Sequence, residues 1–319
     1  MAVTLDKEVR VVRNVQGEVF YDDKLPVALK AAQKYAADNG TSIANMPLLL
    51  RQFPHSEWYT ANSEDHSGVD KHGAFGPKDG NVVVTLHGGK EGIGLLTPEV
   101  IGKAYDMKRK NKGGMNELYA AKHSDVFDGK EVLTDLLQGG MPDGTKILVI
   151  PYSQLVNEGS PGGSQRYAVV RSLELARKTD SGYKGIDRLT DGEGNVKDSQ
   201  VIAYAGGVQE GQNVINRAKE SFKSGKLGVW HPFSHEKFNP DEPQGRVLFL
   251  DSYDDDGLYG YYFDLVINGR FVGVAPEAQR EKSLVAPTLE QVLAIVNTSP
   301  SIAPANRDAL VKQFAKLYE

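Results

Sequence analysis

Hydrophobic positions along this chain recur with two periods, and the shifts between them predict its elements. Leu25, Val27, Ala28, Ala31, Ala32 and Tyr35 fall near one helical face and predict a helix over 25–38, closed by Asn39-Gly40. Val82, Val83, Val84 and Thr85 predict a strand over 81–86, which runs into the glycine turn His87-Gly88-Gly89. A helix follows with Thr97 as N-cap and Pro98 at its first position, both favoured there. Further helices are predicted over 115–122 and 130–138, then a strand over 146–150. A helix over 166–178 carries Val169, Val170, Leu173 and Ala176 along one side. A strand over 200–205 meets Gly206-Gly207 and leads to a helix over 209–223. Between 53 and 80 the chain is polar and punctuated by Gly and Pro, which reads as a long connection.

After Gly245 the pattern changes to β-rich runs at 247–250, 258–267 and 270–274, with Asn268-Gly269 as a hairpin turn. Two helices close the chain, the first capped by Thr288 with Gln291 at capping-box spacing, the second near 306–317. Alternating strands and helices predict an α/β fold: a mostly parallel sheet with flanking helices, plus a C-terminal antiparallel β meander and terminal helices. Three segments follow: 1–80 as an N-terminal helix and polar loop, 81–240 as the α/β core, and 241–319 as the meander and terminal helices, packed as one unit.

Composition narrows the function classes. The chain has 319 residues, 40% hydrophobic and 25% charged, an ordinary globular balance. It has no cysteine, which excludes disulfides, thiolate metal sites and cysteine nucleophiles. The net charge is −5 and the basic residues are scattered, so no nucleic-acid partner is expected. The one dense basic patch, Lys108–Lys112, ends a predicted helix, where cations favour the dipole. There is neither an apolar leader nor a run long enough to span a bilayer, which predicts a cytoplasmic protein with no membrane partner.

Candidate chemistry gathers at the glycine turns. His87 ends a strand, a rigid post for a general acid or base, and Gly88, Gly89 and Gly92 let the backbone approach a ligand. The loop VNEGSPGGSQR brings Ser164 and Arg166, a donor and a cation suited to phosphate or carboxylate. Gly206 and Gly207 form the third turn, and a parallel sheet would place all three at one edge. His55, Glu57, Glu64, Asp65, His66, Asp70 and His72 crowd the polar loop, which reads as a lid contributing His66 as a second acid/base. Their spacing fits no metal motif, so metal and cofactor stay open. Asp254-Asp255-Asp256-Gly257 lacks the glutamate of a calcium loop and reads as a turn.

The His87-Gly88-Gly89 string resembles the segment of esterase α/β-hydrolases that supplies oxyanion N–H groups. The nucleophile elbow of that family is missing, since Gly162-Gly163-Ser164-Gln165 is followed by Arg166 instead of glycine. Three readings follow. The first is an enzyme, a hydrolase or transferase, acting on a small anionic substrate with His87 as acid/base. The second is a non-catalytic ligand- or partner-binding protein. The third is an assembly protein, a homo-oligomer joined through the meander and terminal helices.

Overall fold

Strand pairing, more than strand content, defines the architecture in the computed structural model. The chain divides into two units, Met1–Pro276 and Glu277–Glu319. The structure describes residues 7–8, 17–22, 25–52, 59–88, 94–95, 97–102, 121–122, 129–161, 166–221, 224–234, 238–241, 244–251, 257–259 and 269–274, all within the first unit. In chain order the strands are β1 (Lys7–Glu8), β2 (Gly17–Asp22), β3 (Ser42–Ile43), β4 (Tyr59–Asp70), β5 (Gly80–His87), β6 (Ala121–Lys122) and β7 (Leu148–Pro151). They continue as β8 (Tyr167–Ser172), β9 (Gly182–Gly185), β10 (Lys226–Trp230), β11 (Gln244–Asp251), β12 (Gly257–Tyr259) and β13 (Gly269–Val274). The helices are α1 (Leu25–Asn39), α2 (Met46–Gln52), α3 (Gly129–Leu137), α4 (Tyr152–Glu158), α5 (Leu173–Arg177), α6 (Ile186–Leu189), α7 (Ser199–Ala205) and α8 (Val208–Ser221).

The larger sheet runs β7-β8-β5-β4-β11-β12-β10-β9, with β6 added beside β11, and the smaller runs β1-β2-β13-β3. The expected mostly parallel α/β fold is overturned. Among the described pairs of the larger sheet only β7–β8 and β10–β12 are parallel, while β8–β5, β5–β4, β4–β11, β11–β12 and β9–β10 are antiparallel. A parallel sheet needs a long crossover between neighbouring strands, and two supposed units of that alternation are something else. The predicted helix over 166–178 is strand β8 followed by the five-residue α5. The predicted strand over 200–205 is helix α7, whose N-cap Asp198 accepts from the Gln200 and Val201 amides and whose C-cap Gly206 sits at φ 80°.

The largest departure lies in the polar stretch expected as a loop and lid. It contributes β4, twelve residues long and paired with β5 on one side and β11 on the other. The expected meander is divided as well, because β11 and β12 join the larger sheet while β13 pairs with β2 and β3 in the smaller one. The Lys108–Lys112 patch, Asp254–Asp256, Asn268 and the two terminal helices lie outside the described residues.

The two faces of the sheet centre are buried in different ways. One carries Val82, Val84, Leu86, Ala168 and Val170, packed against Leu133, Leu136 and Leu137 of α3 and against Leu95. The other carries Ser63, Asp65 and Ser67 of β4, Val83, Thr85 and His87 of β5, and Tyr167, Val169 and Arg171 of β8, in cross-strand register. All nine are buried. A second apolar cluster joins Leu25, Ala28, Leu29, Ala32 and Ala36 of α1 to Phe20 and Ile43 of the smaller sheet, the side of α1 that the sequence periodicity picks out.

Candidate functional site

Polar groups inside a protein are tolerated when they find partners. On the polar face of the sheet Asp65 and the terminal nitrogens of Arg171 find theirs in Thr85 and on α7, while Ser67 Oγ, Tyr167 Oη and Arg171 Nε have none among the described residues. The Asp65 carboxylate accepts from Thr85 Oγ1 (2.6 Å), Gln200 Nε2 (2.9 Å) and Tyr204 Oη (2.7 Å). Arg171 donates to Gln200 Oε1 (2.7 Å), Thr85 Oγ1 (3.0 Å) and the Ser199 carbonyl (3.3 Å), and lies 3.8 Å from Asp65. Thr85 and Gln200 each accept from the guanidinium and donate to the carboxylate, so they couple the two charges. Gln200 and Tyr204 stand four residues apart on α7, one helical turn, and both reach down onto the same strand. Burial and the Asp65 charge raise the Tyr204 phenol well above its usual pKa, so it stays a donor.

His87 stands beside this network, fully buried. Its Nε2–H donates to the Ala203 carbonyl (2.9 Å), which assigns the tautomer, and its Nδ1 accepts from the Ser63 hydroxyl (2.9 Å). Ser63 Oγ in turn accepts from the Met46 amide (2.8 Å). Burial lowers the His87 pKa to about 4; the Ala203 carbonyl opposes the shift and the charges of Arg171 and Arg51 add to it. The ring is therefore neutral near pH 7, with both nitrogens engaged.

His66 sits on the opposite face of β4, buried, with Nε2 2.7 Å from Glu64 Oε2, which also accepts from the Leu95 amide (2.9 Å). The sheet thus separates the two histidines that the sequence nominates as acid/base. Gly94 packs over Glu64: a Cβ there would stand 1.9 Å from Glu64 Oε1. Among the described residues no three His, Asp or Glu side chains group as metal ligands.

The remaining candidates divide. Arg166 donates from both terminal nitrogens to Asp143 Oδ2 (3.1 Å each) and also bonds Thr145, which ties it to the turn before β7. Gly88 donates to the Asn62 carbonyl (2.7 Å) and accepts from Asn45 Nδ2 (2.8 Å), so its backbone groups are engaged. Gly89, Gly92 and Ser164 lie outside the described residues. The N–H groups of Gly206 and Gly207 both reach back to the Ile202 carbonyl (3.1 and 3.0 Å), a helix closure that uses their left-handed freedom.

That Gly206-Gly207 elbow nevertheless gathers a cluster. A Cβ on Gly206 would lie 2.7 Å from Tyr167 Oη and 3.0 Å from Pro47 Cγ. A Cβ on Gly207 would lie 3.5 Å from Glu210 Oε2, 3.5 Å from Gly159 Cα and 3.8 Å from the Ser160 amide. The loop after α4, the start of α2 and the start of α8 therefore meet at one point, and the Tyr167 ring packs on His87 with centroids 4.9 Å apart. Arg51 closes the side, its Nη1 3.5 Å from Glu210 Oε1. The sequence marked the glycines but had no signal for Arg51, Tyr167 or Glu210, which only packing brings together. Gly206→Ala adds left-handed strain to a clash with Tyr167 and Pro47, and is expected to lower unfolding free energy by roughly 2–4 kcal/mol in urea denaturation.

Among solved structures, the chain is similar to one described as "Accommodation of massive sequence variation in Nanoarchaeota by the C-type lectin fold". The TM-score is 0.50 at 22% identity, and the match covers 82% of this chain and 99% of that one. The likeness identifies the fold class as a C-type lectin fold, in keeping with the mixed, largely antiparallel sheet. No protein-family model matches the chain, and no curated protein matches it. Among the described residues no helix is long and apolar enough to cross a membrane.

Proposed function

We propose that this chain is a non-catalytic binding protein that uses the C-type lectin fold as a frame and takes a small ligand at the α7–α8 elbow. The observation that carries this reading is the state of His87, whose ring packs on Tyr167 at the elbow. It is buried and neutral, with one nitrogen donating to a carbonyl and the other accepting from a hydroxyl. A general base must reach its substrate proton, and this imidazole is enclosed by Ser63, Ala203 and Tyr167. The Nanoarchaeota structure is described as accommodating massive sequence variation. A frame held from inside, as by the Asp65–Arg171 network here, leaves surface positions free to vary.

The test pairs binding with turnover. The purified full chain is screened by thermal shift against a mixed panel of small carboxylates, phosphates, amines and polyols, and against carboxylate and phosphate esters for product release. Binding without product is the expected result. Protein-dependent hydrolysis of any ester, lost in His87→Ala while that variant stays folded, would overturn it in favour of an enzyme. His87→Ala is expected to cost about 2–4 kcal/mol of stability, because it leaves a cavity and orphans the Ser63 hydroxyl and Ala203 carbonyl.

A further inference from the structure

We propose that the α7–α8 elbow is an oxyanion site, in which a carboxylate or phosphate group accepts from the Tyr167 hydroxyl and the Arg51 guanidinium. This rests on the binding reading above and adds the ligand's chemistry. Two donors at the elbow have no acceptor among the described residues: Tyr167 Oη, on a residue only 4% exposed, and Arg51 Nε. The Ser160 side chain adjoins the phenol oxygen as a weak donor and gives its O–H no acceptor within hydrogen-bonding distance. Burial raises the Tyr167 pKa far above the working range, so the phenol keeps its proton to donate.

Local charge is finely balanced: Arg51 and Glu210 are the charged groups that act on the Tyr167 phenol, and the Arg217 guanidinium is committed to the carbonyls of Leu50 and Arg51. The Glu210 carboxylate holds Arg51 only at 3.5 Å, looser than a charge-assisted hydrogen bond. Gly207, at φ 149°, lines the same point, where a Cβ would stand 3.5 Å from both Glu210 Oε2 and Gly159 Cα. A cation or an amide donor would leave both orphaned donors unpaired. An oxyanion satisfies both and competes with Glu210 for Arg51.

The test titrates inorganic phosphate and, separately, acetate into the full chain at constant ionic strength, followed by calorimetry. Saturable binding is expected, with the tighter of the two assigning phosphate or carboxylate. Tyr167→Phe removes one unpaired hydroxyl and keeps the ring on His87, and should weaken binding about tenfold. Glu210→Gln removes the competing charge and should tighten it by about tenfold. Binding of either anion that neither variant alters, or that Glu210→Gln weakens, overturns the oxyanion site. A neutral or cationic compound from the screening panel that binds while both anions fail would leave the binding reading standing and overturn this one. If nothing binds at all, both fall.

Discussion

Asp65→Ala is expected to lower the unfolding free energy by about 3–5 kcal/mol, because it leaves the Arg171 charge buried without compensation. Arg171 is 1% exposed, and its neighbours Thr85 and Gln200 accept from it while donating to Asp65. Removing the carboxylate orphans those two donors and the Tyr204 hydroxyl together. Chemical denaturation of Asp65→Ala, Arg171→Met and the double variant measures this. The single losses should exceed additivity by about 1–3 kcal/mol, since groups in one network couple. A loss under about 1 kcal/mol for Asp65→Ala would show that the network contributes little to stability.

Acid should unfold this protein through its buried histidines. The His87 pKa is lowered to about 4 and that of His231 to about 3, in both cases chiefly by burial. His231 stacks on Phe233 with centroids 5.4 Å apart. Its two ring nitrogens lie near the Thr179 and Asp180 backbone but outside hydrogen-bonding geometry. A histidine with a depressed folded pKa is protonated first in the unfolded chain. Its contribution is therefore complete above about pH 6.5 and falls as pH drops toward the folded value. At pH 5 each histidine should have lost about 2 kcal/mol, roughly 4 kcal/mol together. Stability measured from pH 8 to 4 should fall steeply below 6.5, and His231→Phe should remove about half of that slope. A flat profile between pH 6.5 and 5 would show that neither ring is held neutral by the fold.

Much of the local structure was legible. The periodicity of Leu25, Ala28 and Ala32 places α1 where it forms, and the Val82–Val84 run places β5. The segment 166–178 was misread because Val169 and Val170 fall at helical spacing with Leu173 and Ala176, which belong to the next element. For α7 a usable signal was present: Asp198 before an apolar run and Gly206 after it are a helix start and stop. The run Val201-Ile202-Ala203 outweighed it, since a short buried segment shows no period of its own.

The candidate site divides along the same line. Glycines announce themselves, because a left-handed turn needs them wherever it lies, and Gly206 and Gly207 are legible for that reason. What surrounds them is not. Arg51, Tyr167 and Glu210 come from α2, β8 and α8, and their meeting depends on how those elements stack.

The sequence by itself determined where α1, β5, β7, α8 and β11 form, and that a glycine elbow would follow residue 205. Only the tertiary structure decided the direction of the strands, and that residues 59–70 lie inside the sheet instead of over it. The physical reason is partnership. Ser63, Glu64, Asp65 and His66 read as a solvated loop because lone polar side chains stay in water. They are buried here because His87, Leu95, Thr85, Gln200 and Tyr204 arrive from distant parts of the chain to bond Ser63, Glu64 and Asp65, and Glu64 in turn bonds His66.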